Sequence, residues 1–157
     1  MKAFAHLFAL LDATTSSNAK LAAMEAYFAQ APQADAAWAV YFLAGGKPRQ
    51  LVPSRVLRDF IQQAAGVPPW LFEESYHAVG DLAETLSLLM PEGDGTDSMG
   101  LADWMQMRLL PLRGAAPEDI HDRLAIYFAE LDQAERFVCA KLLTGSLRVG
   151  VSRLLVT

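Results

Sequence analysis

The sequence has little of what ties a chain together covalently or holds it in a membrane. Its 157 residues include a single cysteine, Cys139, which excludes an internal disulfide and favours a reducing, cytoplasmic setting. No uninterrupted apolar run approaches the roughly 18 residues of a membrane span, so we expect no membrane partner. Hydrophobic residues still make up 53% of the chain, enough for one well-packed domain over residues 1–157.

Catalytic signatures are missing as well. The histidines His6, His77 and His121 are far apart, and none has a second histidine at metal-ligand spacing. The chain has no phosphate-binding GxxxxGK[ST] loop and no GxSxG motif. Glu73 precedes His77 by one helical turn, which suits a surface pair better than an active site. We therefore predict no catalytic and no metal-binding residues.

Alternating strand patterns are also absent, and almost every segment repeats its apolar residues at helical spacing. The prediction is an all-α fold, a compact bundle of about nine or ten short helices. Ser17 or Asn18 is expected to cap the second helix and Asp35 the third. Residues 91–100 form the most polar loop and the best candidate for disorder.

The net charge of −5 conceals a strong segregation of charge along the chain. The first basic segment, residues 44–58, has four basic and no acidic side chains. The second basic segment, residues 136–157, has the same balance, whereas residues 59–135 carry fifteen acidic and three basic groups. Such asymmetry is typical of a surface with one basic face.

The stretch KLLTGSLRVGVSR, residues 141–153, combines basic side chains with two glycines. Gly145 is placed to close a helix in the left-handed conformation. Gly150 precedes a further helical pattern, whose first amides would face an anion. An ordinary helical corner with a solvated basic edge explains the stretch equally well, but the arginines beside the glycines suit a run of phosphates.

Several segments resemble one family, the ATP-dependent DNA ligases, in their helical N-terminal DNA-binding domain. LTGSLRVGVS at 143–152 resembles the G-K-L-R-[IL]-G-L signature near the end of that domain, and Gly80–Glu84 resembles its G-D-[LV]-G-x-[VT]-A-E segment. WAVYFLAGG at 38–46 resembles its Y-L-L-x-G region, and TTSSNAK at 14–20 resembles the turn into its second helix. The segments occur in the family's order over essentially the whole chain, and the bacterial ligases look most similar.

The resemblance implies a domain that binds nicked duplex DNA without reading its sequence, along the minor groove and the phosphates, in DNA repair, replication and recombination. The first basic segment is then expected to make a second contact about a helix length from the second one. The implied DNA-contacting residues are Ser17, Asn18, Lys20, Lys47, Arg49, Arg55, Arg58, Lys141, Gly145, Ser146, Arg148, Gly150, Ser152 and Arg153. Two departures stand out, since Ser146 replaces a common lysine and Ala83 replaces a glycine.

The family's chemistry is expected to lie outside this chain. The nucleophilic lysine of the ligases belongs to a K-x-D-G motif in a second, adenylation domain, and no K-x-D-G occurs here. The resemblance thus implies an excised N-terminal domain, inactive alone and monomeric. It also implies that ATP and Mg²⁺ are held by the absent domains, and that the adenylation and OB domains are its partners.

Two other interpretations remain open from the sequence. One is a helical protein-interaction module that docks through the acidic region 59–135. The other is a small free-standing enzyme that uses the Glu73/His77 face. Salt-insensitive binding to a protein would favour the first interpretation, and turnover by the isolated chain would be needed for the second.

Overall fold

The computed structural model describes residues 1–46, 49–91 and 93–147. Within these ranges the chain forms nine α-helices and no strand, which confirms the all-α prediction. The seventh helix is short and continues as a π-helix over Trp104–Leu109 and a 3₁₀ turn over Leu110–Leu112. The helices are α1 Lys2–Asp12, α2 Ser17–Gln30, α3 Gln33–Leu43, α4 Ser54–Ala65, α5 Pro69–Val79, α6 Leu82–Leu89, α7 Leu101–Asp103, α8 Pro117–Glu130 and α9 Gln133–Thr144.

Helix α9 lies at the centre of the bundle. Seven of its twelve residues are buried, more than any other described helix buries. Helices α1 and α6 pack directly against it, and the Phe8 ring of α1 lies 6.0 Å from the Phe137 ring. The single cysteine, Cys139, is fully buried within α9 as a small apolar side chain. The turn at the C-terminal end of α9 is therefore attached to the helix that has the most buried residues in the described part of the chain.

The helix ends follow local capping chemistry, with one correction to the sequence prediction. Asp132 caps α9, and its carboxylate accepts the Glu135 amide at 2.8 Å while Glu135 reaches back to the Asp132 amide. For α2 the cap is Ser16, whose hydroxyl accepts from the Ala19 amide at 3.3 Å. The predicted caps, Ser17 and Asn18, lie one and two residues after the observed cap. Ser16, Ser17 and Asn18 are all favourable N-cap residues, so residue type alone does not identify the position at which the helix begins.

Asp35 was expected to cap α3, but it lies inside the first turn of that helix. Its carboxylate instead accepts the Ala102 amide of α7 at 2.9 Å. Gly100 precedes α7 and has no side chain to offer, and a Cβ there would lie 2.6 Å from the Asp35 carboxylate. Asp35 therefore caps a helix 67 residues away in sequence.

The polar loop 91–100 is held in place along its described residues, so the expectation of disorder is wrong for them. The Asp94 amide donates to the Ala129 carbonyl at 3.0 Å, and the Asp97 amide donates to the Glu130 carbonyl at 3.1 Å. The buried Asp97 carboxylate also accepts from the indole Nε1 of Trp104 at 3.0 Å. These bonds hold the loop against the end of α8 and against Trp104.

In the described part of the chain, no helix combines the length and apolar character needed to cross a membrane.

Candidate nucleic-acid interface

The end of α9 is closed by Gly145 in the left-handed conformation, as the sequence predicts, at φ 69°. The Ser146 amide donates to the Lys141 carbonyl at 2.9 Å, and the Gly145 amide donates to the Leu142 carbonyl at 3.3 Å. This is the paired bonding of a Schellman turn, which satisfies carbonyls that a helix end otherwise leaves open. Ser146 is exposed, and its hydroxyl lies 2.7 Å from that of Thr144.

The first basic segment lies directly against this turn. The Leu51 amide donates to the Leu143 carbonyl at 2.9 Å, and the Val52 amide donates to the same oxygen at 3.2 Å. Leu51, Val52 and Leu143 are all buried, so the junction is shielded from water. The two basic segments thus meet along their described residues, and the expected distance of a helix length between their DNA contacts stays a prediction. The contact is made by backbone atoms, which a side-chain motif cannot reveal.

Two arginines of the first basic segment are available to a ligand. Arg49 and Arg55 are exposed, and neither forms a salt bridge or a side-chain hydrogen bond within the described ranges. Arg55 lies in the first turn of α4, whose N-cap residue, Pro53, offers no side-chain acceptor to the first amides. Amides without a cap at a helix start attract anions. Arg55 lies in this first turn, and Arg49 precedes it in the segment that leads into α4.

Arg58, one turn further along α4, contacts side chains of α5. Its guanidinium forms a salt bridge with Glu73 and lies 5.6 Å and 5.2 Å from the ring centres of Phe72 and Tyr76. Its side chain is 36% exposed, so a role in DNA binding stays a prediction. Because Glu73 pairs with Arg58, it is not paired with His77 as the sequence suggested.

Lys141 is also engaged within the protein. Its ammonium forms a salt bridge with Asp81, at the start of α6, and lies 5.3 Å from the centre of the Phe137 ring. Arg136, another cation of the second basic segment, is buried and donates to the backbone carbonyls of Phe128 and Pro91. Two of the four cations of this segment thus serve the fold.

The other predicted contacts fall in two places. Ser17 and Asn18 are exposed at the start of α2 and Lys20 is half-buried there. These three residues take no part in the junction at Leu143. The remaining five predicted contacts lie outside the described residues: Lys47, Arg148, Gly150, Ser152 and Arg153.

The acidic region is less uniform than its net charge suggests. Several of its carboxylates are buried or form salt bridges within the protein. Asp97 and Glu135 are buried, and Glu73, Asp81 and Glu130 form salt bridges. Within the described part of this acidic region, the exposed carboxylates without a salt bridge are those of Asp59, Glu74, Glu84, Asp94, Asp103, Glu118, Asp119 and Asp122. In residues 1–46, 49–91 and 93–147, no cluster of His, Cys, Asp and Glu is arranged to hold a metal ion.

Comparison with known proteins points the same way as the basic junction. No curated protein matches the chain. The family model described as "DNA ligase N terminus" matches residues 1–157. The chain therefore belongs to the family of N-terminal domains of ATP-dependent DNA ligases.

Proposed function

We propose that this domain binds nicked duplex DNA, without reading its sequence, through a surface built around the Leu143 junction. Family membership supports a DNA-binding role within a ligase. The observation that carries the finer proposal is the pair of hydrogen bonds from Leu51 and Val52 to the Leu143 carbonyl, because it brings both basic segments together. The proposed surface comprises Arg49, Arg55, Gly145 and Ser146, extended by Lys47, Arg148, Gly150, Ser152 and Arg153.

The chemistry of this surface suits phosphate and sugar contacts rather than base recognition. An arginine side chain can bind a phosphate through two parallel N–H donors. The uncapped amides at the start of α4 and the exposed Ser146 hydroxyl add neutral donors. Donors of this kind position a protein on a duplex but carry no sequence information, as sealing nicks at any sequence requires. Ser17, Asn18 and Lys20 are proposed as an outlying contact.

The distribution of charge favours one orientation on DNA. The two basic segments hold eight cations, of which Arg58, Arg136 and Lys141 are engaged within the protein. If the other five each neutralise a phosphate, log K should fall with log salt at a slope of about −4.5. The exposed acids of residues 59–135 would repel DNA from the rest of the domain.

In the parent enzyme, this domain would hold the duplex while other domains act on it. We propose the adenylation and OB domains as its partners, and ATP and Mg²⁺ as their cofactors. Repair, replication and recombination of DNA are the processes in which such an enzyme would act, in the cytoplasm, with this domain as a monomer.

The test is fluorescence anisotropy with a labelled nicked duplex over a series of salt concentrations. The wild-type domain should bind with a Kd of order 10⁻⁵ M at physiological salt. Arg49→Gln combined with Arg55→Gln should weaken binding and make the salt slope shallower by about 1.8. The matched control is Arg113→Gln, which removes an exposed arginine from the acidic region and should leave the slope unchanged.

These binding measurements distinguish the proposed DNA surface from a protein-interaction module. A double variant that behaves like Arg113→Gln would contradict the proposed surface. The absence of wild-type binding at low salt, together with salt-insensitive binding to a protein partner, would instead favour an interaction module.

A further inference from the structure

Among the described residues, one ion pair links the start of α6 to the last turn of α9. In sequence, the segment that resembles the family's G-D motif leads into α6, and the segment that resembles its G-K-L-R motif follows α9. Lys141 lies in the last turn of α9, and its ammonium donates to Oδ2 of Asp81. The Lys141 side chain is only 16% exposed, and the face of the Phe137 ring lies 5.3 Å beneath its ammonium. The Lys141 ammonium is thus enclosed on one side by the Phe137 ring and paired on another with the Asp81 carboxylate.

Asp81 uses its other carboxylate oxygen to cap α6. Oδ1 accepts the Glu84 amide at 3.1 Å, so the carboxylate is bonded on both sides. Burial alone would raise the pKa of Asp81, but the hydrogen bonds from Lys141 and the Glu84 amide prevail and hold that pKa below its usual value. Asp81 is therefore charged at neutral pH and fixes the lysine in place.

The backbone of Lys141 holds the turn at the end of α9. Its carbonyl accepts the Ser146 amide at 2.9 Å, and two residues later the Leu143 carbonyl accepts the Leu51 and Val52 amides. The side chain and the carbonyl of one residue thus connect the α6 cap to the Gly145–Ser146 turn. A change at Asp81 would be transmitted to both parts of the proposed DNA surface.

We infer that Lys141 is a positioning residue rather than a phosphate ligand, and that the Asp81–Lys141 pair sets the orientation of the Gly145–Ser146 turn against the first basic segment. This inference rests on the proposed function, because its main readout is DNA binding. It reassigns one residue that the family resemblance counts among the DNA contacts.

Asp81→Asn gives the sharpest test because the two roles predict opposite signs. Removing a carboxylate normally strengthens binding to DNA, and it would do so here if it freed Lys141 to contact a phosphate. If Lys141 positions the turn, affinity for the nicked duplex should instead fall, by about three- to tenfold. Asparagine still caps a helix well, so α6 keeps its start.

Lys141→Met and a matched acidic control complete the binding experiment. Methionine retains the packing over Phe137 without the charge. Affinity should fall about as much as in Asp81→Asn, with the salt slope unchanged, and the double variant should be no weaker than either single variant. The control, Glu84→Gln, removes an exposed carboxylate of the same helix and should leave affinity equal or slightly higher. A slope shallower by about 0.9 in Lys141→Met, or tighter binding by Asp81→Asn, would overturn the inference.

Amide hydrogen exchange gives a readout that does not depend on DNA. In Lys141→Met, protection of the Ser146, Leu51 and Val52 amides should fall by about tenfold or more, while that of Leu57 within α4 stays at its wild-type level. Unchanged protection at Ser146 would refute the positioning role even if DNA binding fails. Conversely, loss of protection with no wild-type DNA binding would refute the proposed function alone.

Discussion

Replacing Glu135 with glutamine should make the domain more stable in weak base but not in weak acid. The Glu135 side chain is fully buried, and its Oε1 accepts from the Lys2 ammonium at 2.9 Å and from the Asp132 amide at 3.3 Å. Its Oε2 has no hydrogen-bond partner within the described residues. Burial raises the pKa of Glu135 to about 7, and the nearby Asp97 carboxyl reinforces this increase, against the opposing effect of Lys2.

The sign of the pH dependence is set by proton linkage. An unfolded glutamate titrates near pH 4.5, so between about pH 4.5 and 7 the folded protein binds more protons than the unfolded one. The stability that this carboxyl contributes is complete below pH 4.5 and is lost as the pH rises through 7. Integration over pH 5 to 8 gives a loss of about 2 kcal/mol of unfolding free energy.

Neighbouring groups require that the variant be compared with the wild type at each pH. Burial lowers the pKa of the Met1 amino group, which makes the domain more stable as the pH rises toward 8 and opposes the effect of Glu135. This contribution is present in both proteins and cancels in their difference, except for the part of the Met1 pKa shift that the Glu135 charge causes. Glutamine can replace Glu135 in the capping box, because its side-chain oxygen can still accept the Asp132 amide.

The assay is urea denaturation at half-unit steps from pH 5 to 8. The unfolding free energy of Glu135→Gln minus that of the wild type should rise by about 2 kcal/mol across this range. Glu84→Gln, the same substitution at an exposed site, should show a flat difference. A flat difference for Glu135→Gln as well would refute the argument, because it would mean that Glu135 is ionised throughout.

Two further predictions concern packing. A Cβ at Gly46 would lie 2.4 Å from the Tyr41 ring and 2.6 Å from the Tyr41 carbonyl oxygen. Gly46→Ala should therefore lower the free energy of unfolding by about 1–3 kcal/mol, measured by thermal denaturation. A Tm within about 1 °C of the wild-type value would contradict the close packing. Full burial raises the pKa of the Cys139 thiol and shields it from solvent. A thiol reagent at pH 8 should therefore react with Cys139 only after the protein is denatured. Rapid labelling of the folded protein would contradict this prediction.

The sequence predicted those parts of the fold that depend on neighbouring residues. The all-α fold and the closure of α9 by Gly145 are set within a few residues, and both agree with the structure. Asp35 shows where such reasoning ends. A carboxylate in a polar turn before an apolar run suits a local cap, and nothing nearby indicates that its acceptor role serves Ala102, which only tertiary packing brings close.

The candidate site was predictable in composition but not in arrangement. Segregated charge and the family segments identified both basic segments, and the family match over residues 1–157 confirms that resemblance. Their adjacency depends on backbone bonds to Leu143, and the engagement of Lys141 depends on Asp81, sixty residues earlier in sequence. Charge patterns count cations without showing which are already paired, so Arg58, Arg136 and Lys141 looked as available as Arg49 and Arg55.

The junction at Leu143 also limits which sequences this surface tolerates. Since main-chain amides make the contact, relatives are free to exchange one apolar side chain for another at positions 51 and 52 while keeping the two segments joined. Proline is the exception, because it lacks the N–H that the Leu143 carbonyl accepts. Proline stands immediately outside the junction, at position 53, where it begins the approach to α4. We therefore expect substitutions within the family to avoid proline at 51 and 52 even where every other feature of the segment has diverged.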